Sequence, residues 1–115
     1  MSNTEAMDVR VEERDGAVLV VPTGDVDLHS SPTMRERLRK AAAGKPLRLI
    51  VDLSAVPYMD SSGVATLIEA MQISRRQQTL LVLCGLQDRV RSMFQIAKLE
   101  QVFRIVPTAD EAMKA

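Results

Sequence analysis

Two short segments combine glycine, carboxylates and hydroxyls in a pattern typical of a functional site: Gly24-Asp25-Val26-Asp27 and Asp60-Ser61-Ser62-Gly63. Each follows an apolar, strand-like run, and the second enters a predicted helix. A serine hydroxyl at the start of a helix meets free backbone N–H groups and the positive end of the helix dipole. If the two preceding strands lie side by side, two carboxylate-bearing loops flank one hydroxyl, which suits nucleophilic, phosphoryl-transfer or metal chemistry.

A purely structural interpretation explains part of the second segment. Asp60 is a favourable N-cap residue whose carboxylate can accept the backbone N–H of Ser62 or Gly63. Judged by residue type alone, such capping is the commoner role. Gly63 argues for more, because glycine in a first helical turn costs up to about 1 kcal/mol relative to alanine. Its missing side chain predicts open surroundings for Ser61 and Ser62.

The catalytic and metal-binding alternatives lack essential partners. A serine nucleophile needs a base, yet the sequence has one histidine, His29, and no Gly-x-Ser-x-Gly elbow. A Mg²⁺-dependent phosphate acceptor built on Asp25, Asp27 and Asp60 would also need a lysine at the end of the last parallel strand. Val106-Pro107 occupies that place. We therefore expect a protein that is not an enzyme and uses no metal or cofactor.

Composition predicts a small intracellular domain. The 115 residues suit a single domain, with 46% hydrophobic residues and 3% aromatic ones. A formal net charge of +0 argues against a nucleic-acid partner. The single cysteine, Cys84, forms no internal disulfide, and apolar runs such as Leu80–Cys84 are too short to span a membrane. Residues 1–8 are predicted to be a flexible segment without a signal peptide, so we expect a cytoplasmic location.

Hydrophobic periodicity predicts an α/β fold. Val9 and Val11 begin a half-exposed strand, Asp15-Gly16 signals a two-residue hairpin, and Ala17–Val21 forms a buried second strand whose regular pairing Pro22 ends. Later helices are predicted to start near Ser30, Ser61, Asp88 and Thr108, and later strands to span Leu49–Leu53, Leu80–Cys84 and Val102–Val106. The expected architecture is a mixed sheet, with an antiparallel hairpin, parallel β-α-β units and about four helices.

These segments resemble a known family. Gly24-Asp25-Val26-Asp27, Leu49–Leu53, the stretch Met59–Val64 and the tail around Leu99, Phe103 and Ile105 are similar to a STAS domain. Within that family they resemble the bacterial anti-sigma-factor antagonists, from about Val9 to the C-terminus. The Asp-Ser-Ser-Gly segment is the most specific part of the resemblance.

The resemblance implies a partner-switching mechanism. The unphosphorylated antagonist binds an anti-sigma factor that is also a serine kinase, which frees a sigma factor. The kinase then phosphorylates the serine after the aspartate, here Ser61, and a serine phosphatase reverses the modification. Asp27 matches an acidic residue near this serine, whereas Asp60, Ser62 and Gly63 match the rest of the recognition segment. Asp25 lies beside Asp27 and is assigned to the same surroundings. We expect a monomer or weak dimer.

Two points remain open from the sequence. Many members of the family that the chain resembles have glycine after the second helix, where this chain has Gln77-Gln78-Thr79, so this helix end departs from the family pattern. The main alternative function is a STAS domain that does not switch. Such a domain would serve as a scaffold in a stress-signalling assembly or as a subunit of a lipid transporter.

Arg89 and Arg91 are interpreted as solvated helix surface that can rim a partner interface.

Overall fold

A computed structural model describes residues 7–115 and shows one five-stranded sheet with the order β1-β2-β3-β4-β5. The strands are β1 (Asp8–Arg14), β2 (Ala17–Thr23), β3 (Arg48–Asp52), β4 (Leu80–Cys84) and β5 (Arg104–Val106). The helices are α1 (Ser31–Ala43), α2 (Ser61–Arg76), α3 (Asp88–Ile96) and α4 (Ala109–Lys114). β1 and β2 are antiparallel, and the other neighbours are parallel. The predicted mixed sheet is confirmed.

The N-terminal hairpin forms at the predicted turn. Asp15 and Gly16 have φ values of 52° and 82°, which is the left-handed backbone that a two-residue hairpin turn requires. The prediction that Pro22 ends the regular pairing is wrong, because Pro22 pairs with Val9 and β2 continues to Thr23. Parallel pairing with β3 already ends at Val20, so β2 is paired on one side alone at this proline.

The other predicted boundaries agree with the structure to within a few residues. β1 begins at Asp8, inside the segment 1–8 that the sequence predicted to be flexible, and residues 1–6 lie outside the described part. The fifth strand is shorter than predicted: Val102 follows a 3₁₀ turn at Leu99–Gln101 and is exposed, and β5 starts at Arg104.

Helices cover the two faces of the sheet unequally. α1, α2 and α3 bury one face, while the six-residue α4 covers part of the other through Ala112. The principal helical core residues are Met34 and Leu38 of α1, Leu67 and Met71 of α2, and Val90 and Phe94 of α3. Burial of these apolar side chains holds α2 against the sheet and fixes where its first residue emerges.

The C-terminal end of α2 is held without a glycine, at Gln77-Gln78-Thr79. Gln78 adopts a left-handed conformation with φ of 62°. The Gln77 side-chain amide donates to the Ala42 carbonyl at 2.7 Å, and the Thr79 hydroxyl donates to the Pro46 carbonyl at 2.8 Å. These contacts attach the end of α2 to the last turn of α1 and to the segment that follows it.

None of the helices formed by residues 7–115 has the length and apolar character that a membrane crossing requires.

Candidate functional site

The two motif-bearing loops lie side by side at the carboxyl edge of the sheet. Val26 and Met59 form a parallel β-bridge beyond the ends of β2 and β3. The Val26 N–H donates to the Tyr58 carbonyl at 2.9 Å, and the Asp60 N–H donates to the Val26 carbonyl at 3.0 Å. Gly24 N–H donates to a carbonyl of the same β3–α2 connection at 2.9 Å. The sequence left open whether the two preceding strands lie side by side; they do, and the two loops that follow them are neighbours.

Asp60 caps α2 with its side chain, as its residue type predicts. Its Oδ1 accepts the backbone N–H of Ser62 at 2.8 Å and the Ser62 hydroxyl at 2.5 Å. The hydroxyl contact is the largest cause of a lowered pKa for the Asp60 carboxyl. Burial opposes it by a smaller amount, and the backbone N–H groups of Ser62, Gly63 and Leu28, each a smaller effect than burial, lower the pKa further. Asp60 is therefore an anion at neutral pH.

The adjacent serines differ in their availability. Ser61 is the first residue of α2 and is exposed to solvent. Ser62 is half-buried, and its hydroxyl is engaged by the Asp60 carboxylate. A protein docking at this edge would therefore meet the hydroxyl of Ser61 and find that of Ser62 already bonded.

The carboxylate of Asp27 accepts hydrogen bonds from the residues just before α1. Its Oδ1 accepts the backbone N–H groups of His29 and Ser30, at 2.9 and 3.1 Å, and lies 3.2 Å from the Ser30 hydroxyl. That hydroxyl also donates to the Asp25 carbonyl at 2.7 Å, while the Asp25 side chain is exposed. Asp27 thus orders the loop beside α2 through its own turn, and its predicted role near Ser61 stays a prediction.

Gly63 has a different role from the one its position suggested. A Cβ on this residue would lie 2.5 Å from Met59 Cγ and 2.8 Å from Val26 Cγ1. Gly63 is buried, so its missing side chain lets α2 begin directly on the Val26–Met59 bridge. The interpretation that this glycine keeps the surroundings of Ser61 open is wrong, because the space it leaves is filled by the core.

A cavity of about 410 Å³ adjoins Ser61 on the side of α3. The guanidinium carbon of Arg89 lies 5.7 Å from the centre of the Tyr58 ring, within the range of a cation–π contact. The cavity is lined by Tyr58, Met59, Asp60, Ser61, Arg89 and Met93. The sequence interpretation of Arg89 as helix surface did not place it here. The spacing of Arg89 and Met93, four residues apart on one helix, puts them on one face and was the available signal.

On the opposite side of α2, an ion-pair cluster joins this helix to α1. The Glu69 carboxylate lies 2.7 Å from Arg35 Nε and 2.6 Å from an Arg39 terminal nitrogen. Hydrogen bonds from these guanidinium groups lower the pKa of Glu69 to about 2. The cluster borders a second cavity, of about 310 Å³, that Ser62 also lines.

The remaining reactive side chains lie elsewhere. His29 is exposed on the loop before α1. Cys84 is buried in β4, where loss of solvation and, secondarily, the charge of Asp52 raise the pKa of its thiol to about 12. Within residues 7–115, no three histidine, cysteine, aspartate or glutamate side chains converge as candidate metal ligands.

Comparison with known proteins gives the family. The model of the STAS domain matches residues 8–112. The anti-sigma-B factor antagonist of Listeria monocytogenes is 32% identical over 98 residues, which cover 84% of this chain and 86% of that protein. An anti-sigma factor antagonist from Mycobacterium paratuberculosis superposes with a TM-score of 0.87 at 24% identity, covering 99% of this chain and 97% of the other.

A solved structure of the Bacillus cell fate determinant SpoIIAA in its phosphorylated form superposes with a TM-score of 0.71 at 22% identity, covering 93% of this chain and 97% of the other. These two structures are each less than 25% identical to the chain, and their likeness shows a shared fold. The chain belongs to the STAS domain family, in the group whose members are named anti-sigma-factor antagonists.

Proposed function

We propose that the chain is an anti-sigma-factor antagonist that binds an anti-sigma factor with serine kinase activity and is switched off by phosphorylation of Ser61. The observation that carries the proposal is the contrast between two neighbouring hydroxyls. Ser61 is exposed at the start of α2, whereas the Ser62 hydroxyl is bonded to Asp60 at 2.5 Å. The relatives' names supply the class of partner, and the phosphorylated SpoIIAA structure supplies a precedent for modification within the fold.

The modification requires an accessible hydroxyl and a base on the kinase. Ser61 Oγ would attack the γ-phosphorus of ATP, the bond from that phosphorus to the oxygen of ADP would break, and the hydroxyl proton would pass to the kinase base. Ser61 has the exposure that this attack needs. The Ser62 hydroxyl donates a hydrogen bond to the Asp60 carboxylate, which keeps the Ser62 oxygen directed into the capping interaction.

The surface around Ser61 also suits protein docking. Leu28 is 78% exposed, and its N–H contributes to holding Asp60 anionic, so it lies against the start of α2. Tyr58 is 40% exposed and lines the cavity beside Ser61. Exposed apolar side chains next to ordered polar groups are typical of interfaces, in which a few central residues supply most of the binding free energy.

A phosphate on Ser61 would oppose docking by charge. It adds about −1.5 to −2 charges at neutral pH. An interface complementary to the neutral hydroxyl would bury this charge without a partner, at a cost of several kcal/mol. Because about 1.4 kcal/mol changes affinity tenfold, such a cost is enough to release the partner. The antagonist would act in the cytoplasm, where its partner controls a sigma factor, and would catalyse no reaction itself.

The proposal is tested by mapping phosphate on the protein isolated from its own cells by mass spectrometry, together with binding of the same cells' anti-sigma factor. We expect phosphate on Ser61, and binding by the unmodified chain alone. A Ser62→Ala variant is the matched control, since it should still be phosphorylated at Ser61. Partner binding that is indifferent to phosphate on Ser61 would contradict the switch and favour a scaffold or a transporter subunit.

A further inference from the structure

Arg89 is a cation that lines the same cavity as Ser61. No aspartate or glutamate among residues 7–115 lies within ion-pair distance of its guanidinium. Its neighbour Asp88 lies 3.7 Å from Arg91 instead. Arg89 is positioned over the Tyr58 ring, and both side chains line the cavity of about 410 Å³ that also contains Ser61. The contact with Tyr58 fixes a planar donor group at this cavity.

We propose that this cavity is a phosphate-binding site in which Arg89 is the counter-charge of phosphorylated Ser61. The inference rests on the proposed function, because it requires that Ser61 carries phosphate. It adds that the chain itself supplies the group that holds the phosphate, through a residue of α3 rather than of the recognition segment at the start of α2.

The chemistry of the lining groups supports this assignment. A guanidinium presents parallel N–H donors that match two phosphate oxygens, and stacking on an aromatic ring orients it. Asp60 lines the same cavity as an anion and repels the phosphate, so an uncompensated phosphate would be disfavoured there. Arg89 and the N–H groups at the start of α2 act in the opposite sense. The volume admits a phosphate group together with water molecules.

The consequence is a second source of switching. In the unmodified chain, Arg89 is available to a docking partner at the rim of the cavity. In the phosphorylated chain, Arg89 is engaged by the phosphate, and a partner would have to bury or break that pair. The phosphorylated free chain is thereby stabilised relative to the complex, because burying the pair costs the desolvation of both charges and breaking it leaves both without a partner.

The second ionisation of the phosphate reports on Arg89 without any partner protein. Full-length chain carrying phosphoserine at position 61 by co-translational incorporation would be titrated and followed by ³¹P NMR. A nearby cation favours the dianion, so Arg89 should lower the second pKa of the phosphate. Arg89→Gln should raise that pKa by about half a pH unit, the shift expected for a solvent-exposed pair. Arg89→Lys should give a smaller increase.

Arg91→Gln is the matched control, because it removes the same charge from α3 at a residue that does not line the cavity. A pKa that rises with Arg89→Gln and stays constant with Arg91→Gln supports the site. Equal shifts in both variants, or no shift in either, overturn the assignment to Arg89. That result would leave the proposed function standing if phosphoserine at position 61 still prevents partner binding. Superposable NMR spectra of the unphosphorylated variants establish that each is folded.

Discussion

The Asp60 carboxylate accepts both the backbone N–H and the hydroxyl of Ser62, at 2.8 and 2.5 Å, and so fixes one of two adjacent serines. If Ser61 is phosphorylated as proposed, this relationship also bears on which of the two serines accepts the phosphate. The same carboxylate that caps the helix also occupies the hydroxyl next to the exposed Ser61. The cap of α2 and the engagement of the Ser62 hydroxyl are therefore two effects of one side chain.

Replacing Asp60 should therefore reduce the selectivity of phosphorylation for Ser61 over Ser62. In Asp60→Ala the Ser62 hydroxyl loses its acceptor, and the first turn of α2 loses its side-chain cap. We expect the anti-sigma-factor kinase to place phosphate on Ser62 as well as on Ser61, and the free energy of unfolding to fall. Phosphopeptide mass spectrometry after incubation with kinase and ATP measures the ratio of the two products.

Asp25→Ala is the control for this experiment, because it removes an equal charge from an exposed side chain of the neighbouring loop. It should leave the product ratio unchanged. Exclusive modification of Ser61 in Asp60→Ala would show that the kinase alone determines the choice between the serines.

A permanent negative charge at position 61 should imitate the switched-off state. We expect Ser61→Asp to weaken binding of the anti-sigma factor by at least about tenfold, since leaving a charge unpaired in an interface costs more than 1.4 kcal/mol. Ser61→Ala should bind as the unmodified chain does and should accept no phosphate there. Isothermal titration calorimetry gives both affinities.

Gln101→Glu supplies the control for added charge. Gln101 is exposed in the 3₁₀ turn before β5, and therefore at the amino edge of the parallel strands, opposite Ser61. The Gln101→Glu variant should bind the anti-sigma factor with the same affinity as the unmodified chain. Equal binding by Ser61→Ala, Ser61→Asp and Gln101→Glu is incompatible with a charge-operated switch at Ser61.

The parts of the fold that depend on local sequence were predictable. Asp15 and Gly16 form the predicted hairpin turn, and both have positive φ. The Thr108 hydroxyl caps α4 by accepting the Glu111 N–H at 3.1 Å, as the spacing of the two residues predicts. The sequence predicts the pairing of the loop around Val26 with the loop before α2 only as a condition on strand order; it occurs because β2 and β3 are parallel neighbours that end at a common edge.

The parts that depend on packing at a distance were not predictable. The sequence suggests that Gly63 leaves free space at the start of α2. The three-dimensional structure shows instead that a side chain there would collide with Met59 and Val26. Arg89 lies 31 residues along the chain from Tyr58, and their contact arises because α3 packs next to the β3–α2 connection. Periodicity assigns a residue to a helix face and leaves open what that face meets.

Gly63→Ala tests the packing role of this glycine. The added methyl would meet Met59 and Val26 at 2.5 and 2.8 Å, so α2 must shift at its first turn. Overpacking costs about 1–3 kcal/mol, whereas alanine gains up to about 1 kcal/mol in helix propensity. We expect a net fall in the free energy of unfolding, measured by urea denaturation, together with slower phosphorylation of Ser61.

Gly44→Ala is the matched glycine control. Gly44 has a helical φ of −76°, and its nearest contact for a Cβ is a backbone oxygen at 3.9 Å. This substitution should leave stability unchanged or raise it by about 0.4–1 kcal/mol. A stable, normally phosphorylated Gly63→Ala protein would contradict the packing interpretation.

The Glu69 cluster should make the attachment of α1 to α2 dependent on pH. Arg35 and Arg39 lower the pKa of Glu69 from 4.5 to about 2, so the ionised carboxylate is favoured in the folded chain. Its contribution is fully present above the unfolded pKa of 4.5 and is lost as the pH falls through about 2. The Glu69 side chain is 27% exposed and both arginines are about half exposed, so solvent screens the pair. Glu69→Gln should cost about 0.5–1 kcal/mol at pH 7.

Urea denaturation of both proteins between pH 7 and pH 2 measures this contribution. The difference between the unmodified chain and Glu69→Gln should shrink as the pH falls below 4.5 and approach zero near pH 2. Glu36→Gln serves as the control, because Glu36 is an exposed residue of α1 and should show a small difference that changes little over this range. A Glu69→Gln difference that persists unchanged near pH 2 would assign its cost to lost packing between α1 and α2 rather than to the ion pairs with Arg35 and Arg39.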